Sequence, residues 1–192
     1  MKNSTKWIAG IVVVALLFSV HAYNGFVTAE EVGAEKWSQI ENQYQRRYDL
    51  IPNLVSTVKG YAAHETETLM AVVEARAKAT QTNVNVKDAG SLAAFGAQQQ
   101  GISSALSRLM VVVEKYPDLK ANTNFLELQA QLEGTENRIA VARKDFNEAI
   151  RNYNIRVRRF PGNLLAKVLG FEKSSLFEVE SEEVKLVPEV KF

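Results

Sequence analysis

The chain has 192 residues, with 23 basic and 22 acidic side chains, 46% hydrophobic residues and no cysteine. This length suits one domain, or one domain with an appendage, and the hydrophobic content is sufficient for a folded core. The lack of cysteine excludes disulfides, thiolate zinc sites, iron–sulfur clusters and a cysteine nucleophile. A net charge of +1 provides no overall attraction for nucleic acid, so no nucleic-acid partner is expected.

The N-terminal segment is an uncharged apolar run. Lys2 and Lys6 precede the strictly apolar residues 7–20. Residues without a formal charge that a membrane-spanning helix can accommodate continue to Val27. A helix over residues 7–27 would span about 31 Å, close to the thickness of the hydrocarbon core of a bilayer. We therefore predict an uncleaved membrane anchor over residues 1–27. The residues expected along this anchor are Trp7, Ile11, Val14, Leu17, Val20 and Tyr23.

Two other interpretations of this segment are open. The strictly apolar run is short enough for a signal peptide, and Val20-His21-Ala22 resembles a cleavage site. A buried core helix is the third interpretation. The anchor is favoured because Trp7 and Tyr23 would lie at the two membrane–water interfaces, where aromatic side chains with a polar group are enriched.

The charges that flank the anchor predict its orientation. Lys2 and Lys6 lie before it, whereas Glu30, Glu31 and Glu35 follow it. The positive-inside rule then places the N-terminus in the cytoplasm and residues 28–192 on the extracytoplasmic side of the membrane. The bias amounts to two lysines, and a cytoplasmic location for the bulk of the chain is the alternative.

After the anchor, apolar residues recur every three or four positions, as in amphipathic helices. The first seam consists of Trp37, Ile40, Tyr44, Tyr48, Ile51, Val55, Val58 and Ala62. Pro52 interrupts it, because proline has no N–H to donate to the Tyr48 carbonyl. We expect a kink at this point or a split near Asp49. A second helix is predicted over residues 66–80.

A third helix is predicted over residues 89–115, ended by Tyr116-Pro117. Its seam consists of Leu92, Phe95, Ile102, Leu106, Leu109 and Val113. Beside the seam runs a stripe of small residues, namely Ala93, Ala97, Gly101 and Ala105. We expect this stripe to lie in a tightly packed bundle core, with a contact between subunits as the alternative.

The fourth and longest helix is predicted over residues 123–160, before Pro161. Its seam consists of Phe125, Leu128, Leu132, Thr135, Ile139, Ala142, Phe146, Ile150, Tyr153 and Val157. Asn163 is expected to cap a short helix over residues 164–169, and Gly170 to close it. The tail over residues 174–192 alternates apolar and acidic residues, which predicts an extended arm.

Long helices with one apolar face each and short connectors pack best as an up-and-down antiparallel bundle. The sequence therefore predicts an all-α chain. Residues 1–27 form the transmembrane helix, residues 28–173 an elongated antiparallel four-helix bundle with the short helix, and residues 174–192 the extended arm.

Motifs along the whole chain point to one family. The longest is the run Arg46-Arg47-Tyr48-Asp49-Leu50-Ile51-Pro52-Asn53-Leu54-Val55. Others are Val73-Glu-Ala-Arg-Ala77, Asp145-Phe-Asn-Glu-Ala149 with Tyr153-Asn154, Phe160-Pro161 followed by Gly170-Phe171, and Val187-Pro-Glu-Val-Lys-Phe192. In these motifs the chain resembles the LemA family of bacterial membrane-anchored helical proteins. It departs from the family at Lys36, where a small apolar residue is common, and in the divergent tail after Phe171.

The resemblance implies a single-pass membrane protein with an elongated four-helix domain and no agreed biochemical activity. Members of the family are associated with membrane organisation, including magnetosome membranes. They often occur beside membrane proteases or other envelope proteins. An envelope protein such as a membrane protease is therefore an expected partner.

Motifs for catalysis are absent from the sequence. His64 is followed by acidic residues but has no second histidine four positions away, and His21 lies at the membrane edge. There is no phosphate-binding glycine loop and no nucleophile elbow. We therefore predict a non-enzymatic protein, without a catalytic, metal or cofactor site.

Two groups of arginines are candidates for contact with a partner or an anion. Arg46 and Arg47 lie close to Pro52 and can pair with acidic residues of a neighbouring helix. Alternatively, they can line a groove that holds a carboxylate or a lipid phosphate. Arg156, Arg158 and Arg159 end the fourth helix, where they complement its dipole or contact anionic head groups or the acidic tail.

The anchor, the seams and the lack of catalytic motifs favour a membrane-anchored scaffold or adaptor that self-assembles into a homo-oligomer. The alternative function is a binding module that presents the groove near Arg46, Arg47 and Pro52 to a peptide, a lipid head group or a membrane protease.

Overall fold

A computed structural model of the chain describes residues 2–82 and 84–178, with side chains from residue 6 onward. The residues described form helices joined by irregular segments and contain no strand, so the prediction of an all-α chain is confirmed. The helices are α1 Lys2–Lys59, α2 Thr66–Thr80, α3 Ala89–Val113, α4 Pro117–Lys120, α5 Thr123–Arg158 and α6 Gly162–Leu169.

The longest element, α1, is one continuous helix of 58 residues that contains both the apolar N-terminal segment and the first predicted seam. Pro52 lies inside it, so the expected split near Asp49 does not occur. The structure shows how the proline is accommodated. The Arg76 Nε of α2 donates a hydrogen bond of 2.8 Å to the Tyr48 carbonyl, which Pro52 leaves without its helical donor. A side chain of the neighbouring helix thus replaces the missing backbone donor.

Helix α5 packs along α1 over most of its length. Arg47 contacts Glu136 at 2.8 Å, and the Tyr44 hydroxyl accepts a hydrogen bond of 2.7 Å from Arg143. Nearer the N-terminus, a Cβ added to Gly33 would lie only 3.0 Å from Ile150 Cδ1. Residue numbers therefore rise along α1 as they fall along α5. Helices α2 and α3 pack against each other, and α2 also packs on α1.

The apolar seams predicted from the sequence are the buried faces of the helices. The seam residues from Trp37 to Val58 on α1, and Ala62 just after it, are buried except for Val55, which is partly buried. All six seam residues of α3 are buried. On α5 only Leu128 of the predicted seam is partly rather than fully buried. The 3.6-residue period thus identified the core correctly.

The structure corrects two local expectations. The stripe of small residues on α3 is mostly outside the core, because Ala93, Ala97 and Gly101 are exposed and only Ala105 is buried. The expectation of tight core packing is therefore wrong for those three residues. Asn163 lies inside α6 rather than capping it, since the cap position is Pro161 and makes no side-chain hydrogen bond.

Other helix ends follow ordinary capping chemistry. The Asp88 carboxylate accepts hydrogen bonds from the Gly90 and Ser91 amides at the start of α3, which satisfies two otherwise unpaired donors. The Asn122 side chain accepts from the Phe125 amide at 3.0 Å. Gly170 ends α6 with a φ of 78°, the left-handed conformation that favours glycine, so its predicted role is confirmed.

Residues 171–178 are irregular and run back along α5. The Tyr153 hydroxyl donates to the Glu172 carbonyl at 2.9 Å. The Asn154 side chain exchanges two hydrogen bonds with the Ser174 backbone, and Asn147 does the same with Phe177. The rest of the predicted arm, residues 179–192, lies outside the described residues.

Removing the side chain that compensates Pro52 should destabilise the fold. Because the Arg76 guanidinium is a charged donor to a backbone carbonyl, we expect Arg76→Met to lower the free energy of unfolding by about 1.5–3 kcal/mol. The same substitution in a Pro52→Ala background should cost less, because residue 52 then supplies its own amide. Urea unfolding followed by circular dichroism, as a double-mutant cycle in mild detergent, measures the difference. Equal costs in the two backgrounds would contradict the compensation.

Candidate functional site

The two arginines near Pro52 lie in opposite environments. Arg46 is exposed, whereas Arg47 is 1% exposed and is among the largest fully buried side chains. Arg47 Nη1 donates to Glu136 Oε1 at 2.8 Å and to Ser103 Oγ at 3.4 Å, while Nη2 donates to Gln99 Oε1. Arg47 of α1 therefore joins α3 and α5 across the centre of the domain.

Aromatic rings and amides extend this buried polar cluster. Gln99 Nε2 donates a hydrogen bond to the Tyr48 hydroxyl. The Tyr44 ring lies 5.0 Å from the Arg47 guanidinium carbon and 5.6 Å from that of Arg143. The Arg143 guanidinium also lies 4.6 Å above the Phe177 ring, so a single layer connects α1, α3, α5 and the returning segment. Cation–π contacts of this kind are stronger away from water.

The cluster is better suited to specifying the packing than to adding stability. Burying a guanidinium carries a desolvation penalty that its ion pair only partly offsets. Glu136, its carboxylate partner, remains 44% exposed by side-chain area. However, Arg47 reaches its partners only when α1, α3 and α5 are in one register. We infer that the cluster fixes how far these helices are shifted along one another.

The tyrosines of the cluster are held neutral. Burial raises the pKa of Tyr44 above its ordinary value of 10.0, although the positive charges of Arg143 and Arg47 act in the opposite direction. Burial likewise raises the pKa of Tyr48, opposed by its hydrogen bond with Gln99 and by Arg47. Both hydroxyls therefore act as neutral hydrogen-bonding groups at physiological pH rather than as bases.

The burial of Arg47 supports the simpler interpretation of the Arg46–Arg47 pair, in which the arginine pairs with an acidic residue of a neighbouring helix. The partners Gln99 and Glu136 were not identified from the sequence. A signal was present, because Gln99 lies four residues after Phe95 and three before Ile102, inside the apolar seam of α3. A polar residue at such a seam position indicates a buried hydrogen-bonding partner.

The second arginine group lies at the C-terminal end of α5. Arg156, Arg158 and Arg159 are all exposed. A Cβ added to Gly25 of α1 would lie 3.1 Å from Arg156 Nη1, so the group is level with the end of the apolar N-terminal segment. A small core of Phe26, Tyr153, Val157 and Ala166 joins α1, α5 and α6 at this level.

The apolar N-terminal part of α1 has little contact with the rest of the domain. It is the one stretch among the described residues that is long and apolar enough to cross a membrane, and very little of it is buried. The six residues expected along the anchor are all exposed, namely Trp7, Ile11, Val14, Leu17, Val20 and Tyr23. A soluble core helix would be mostly buried, so this pattern fits a helix that meets lipid.

Metal-ligating side chains do not cluster in the described part of the chain. No group of three or more histidine and acidic side chains is close enough there to hold a metal ion. His64 is exposed in the turn between α1 and α2.

Comparison with known proteins agrees with the motifs and the helical architecture. Residues 36–192 match the family model described as the LemA family. The chain belongs to the LemA family. Its helical fold and candidate N-terminal span fit a membrane-anchored protein.

Relatives in this family come from several bacteria. The chain is 30% identical over 175 residues to magnetosome protein MamQ 2 of Paramagnetospirillum magneticum and 28% identical over 174 residues to MamQ of Magnetospirillum gryphiswaldense. These matches cover 81% of this chain. Protein LemA of Metamycoplasma hominis is 25% identical over 146 residues, or 76% of this chain. The chain spans 64% of the length of each of these relatives.

Adjacent arginines of opposite burial provide a matched test of the buried cluster. We expect Arg47→Met to lower the free energy of unfolding by about 1–3 kcal/mol, because the buried Gln99 side chain loses its hydrogen-bonding partner. Arg46→Met, one position away on the exposed face, should change it by less than about 0.5 kcal/mol. Chemical unfolding of both full-length variants compares the two values. Similar small effects would show that Arg47 does not hold the helices together.

Proposed function

We propose that this LemA-family protein is a membrane-anchored, non-enzymatic scaffold of the bacterial envelope that self-assembles. Residues 1–27 anchor it, and residues 28–173 form an elongated antiparallel four-helix bundle in which α1, α2, α3 and α5 are the long members. Residues 174–192 form the C-terminal tail. The bundle presents its outer surfaces to other envelope proteins.

The observation that carries this proposal is the continuity of α1. One helix runs from the exposed apolar segment into the core of the domain without a linker. At 1.5 Å per residue, a continuous helix transmits position and orientation over tens of ångströms, as a hinged tether cannot. Such a construction holds the domain at a set distance and orientation relative to the span, which suits a scaffold.

The location follows from the same helix. We place the anchor in the inner membrane as a single pass, with residues 28–192 on the extracytoplasmic side because Lys2 and Lys6 precede the span. The MamQ relatives are magnetosome proteins, which supports a role at a membrane. Protease treatment of intact spheroplasts tests the side. A C-terminal domain that is degraded only after lysis would place it in the cytoplasm.

Self-assembly is supported by exposed surface that the described domain does not cover. On α3, Ala93, Ala97 and Gly101 are exposed, and a Cβ added to Gly101 would meet nothing within 4 Å. Small side chains allow another helix to approach closely. For partner contact, Arg46 is available on the outer face of α1, and an envelope protein such as a membrane protease is the kind of partner proposed.

Light scattering after size-exclusion chromatography in mild detergent tests self-assembly. We expect the full chain to elute as a homo-oligomer, and Ala97→Leu/Gly101→Leu to shift it toward the monomer by blocking close approach on α3. The control Ala130→Leu/Ala140→Leu adds comparable bulk at exposed positions of α5 and should leave the mass unchanged. A monomeric wild-type chain would contradict the scaffold proposal, and an unchanged mass in the α3 variant would exclude the stripe as its contact.

A further inference from the structure

The end of the domain nearest the anchor carries an exposed apolar surface on and beside α6. We call it the α6 patch and define it as Phe160, Leu164, Val168 and Leu169. These side chains are 76%, 62%, 83% and 45% exposed. Large apolar residues that are adjacent and this accessible mark an interaction surface rather than ordinary scatter on a protein surface.

Helix α6 is apolar on two opposite faces. Its inner face is built around Ala166, which is buried against Phe26 of α1 and Tyr153 and Val157 of α5. Leu164 and Val168 are four residues apart, so they share one face of the helix, and that face lies opposite Ala166. The inner face packs against the rest of the domain, whereas the outer face lacks a partner among the described residues.

The position of α6 along α1 places the patch at the end of the candidate span. The Phe171 ring lies 5.8 Å from the Tyr23 ring and 5.2 Å from the Phe26 ring. A Cβ added to Gly162 would lie 3.3 Å from Phe26 Cζ. The remainder of α5 runs away from this level, since its earlier residues pair with later residues of α1. The patch is therefore at the anchor end of the domain, next to the surface of any bilayer that α1 crosses.

Basic residues flank the patch along the chain. Between residues 156 and 169 the chain has four basic side chains, Arg156, Arg158, Arg159 and Lys167, and no acidic one. All four are exposed. A second copy of the chain seated on this patch would bring the same positive charges together. Anionic phospholipid, by contrast, has phosphates that the basic side chains can bind. The boundary between its head groups and acyl chains can also accommodate the apolar side chains.

We propose that α6 is a second membrane contact, in which the α6 patch enters the interfacial layer of the bilayer and Arg158, Arg159 and Lys167 bind anionic head groups. This proposal rests on the anchor of the proposed function. Its consequence is mechanical. A single span leaves the domain free to rotate and tilt, whereas a second contact beside it limits the angle at which α1 leaves the membrane.

The test uses the absence of cysteine, because a single introduced cysteine can be labelled uniquely. An environment-sensitive fluorophore is attached at Val168→Cys, Val14→Cys or Val111→Cys of the full chain. The chain is then placed at one copy per nanodisc of phosphatidylcholine and phosphatidylglycerol. Val111 is an exposed residue near the end of α3. Just beyond it, the Tyr116 hydroxyl donates a hydrogen bond to Glu65, in the turn at the end of the domain farthest from the anchor. A label at residue 111 therefore reports on a surface away from lipid.

We expect blue-shifted emission and several-fold weaker quenching by iodide at residues 168 and 14, but not at residue 111. Equal quenching at residues 168 and 111 overturns the α6 contact while leaving the anchor intact. Strong quenching at residue 14 instead shows that the proposed anchor fails. Protection of residue 168 that appears only with several copies per disc assigns the patch to self-association and also overturns the lipid contact.

A charge variant tests the head-group part separately. Arg158→Gln/Arg159→Gln in the Val168→Cys chain should increase iodide quenching at residue 168 in the anionic discs. The control Arg108→Gln/Lys115→Gln removes two exposed charges from the far part of the domain and should not. An unchanged signal in the first variant would contradict binding of head groups by Arg158 and Arg159.

Discussion

The architecture depends on one constraint, that α1 is at once the candidate membrane span and a central helix of the folded domain. Helix α1 is exposed and apolar from Trp7 to Phe18, and from Trp37 onward it contributes the buried seam on which α2 and α5 pack. No turn separates the exposed apolar segment from the buried seam, because both lie on one continuous helix. Any force that orients the span in lipid is therefore transmitted to the domain, and a displacement of the domain acts on the span.

Two polar arrangements allow so long a helix to serve both purposes. At Pro52 the backbone lacks a donor, and the Arg76 side chain supplies one to the Tyr48 carbonyl, so the helix continues. One turn earlier, Arg47 fixes the register of α3 and α5 against the same helix. Both contacts involve arginine, whose planar guanidinium can bond several acceptors at once. The run from Arg46 to Val55 that resembles the LemA family therefore contains the α1 residues of both arrangements, namely Arg47, Tyr48 and Pro52.

Periodicity predicted much of this fold, because burial in a helical protein follows the 3.6-residue repeat, as the seams from Trp37 to Val58 and from Phe125 to Val157 show. What periodicity could not predict was the partner of each polar residue. Whether Arg47 faces solvent or Gln99 depends on contacts between residues about fifty positions apart. The outer face of α6 was also missed, since Leu164 and Val168 resemble ordinary core positions until the structure shows that the core contacts only the Ala166 face. The stripe at Ala93, Ala97 and Gly101 was placed in the core on size alone, but small side chains fit equally well at a surface.

The central claim is that α1 passes from the span into the domain as one rigid helix. A distance between spin labels at Val20→Cys and Gln45→Cys, both exposed positions of α1, tests it in the full-length protein in lipid. A continuous helix predicts a narrow distribution centred near 38 Å, from 25 residues at about 1.5 Å each. A broad distribution, or a centre well below that value, would show a hinge between anchor and domain and contradict the account.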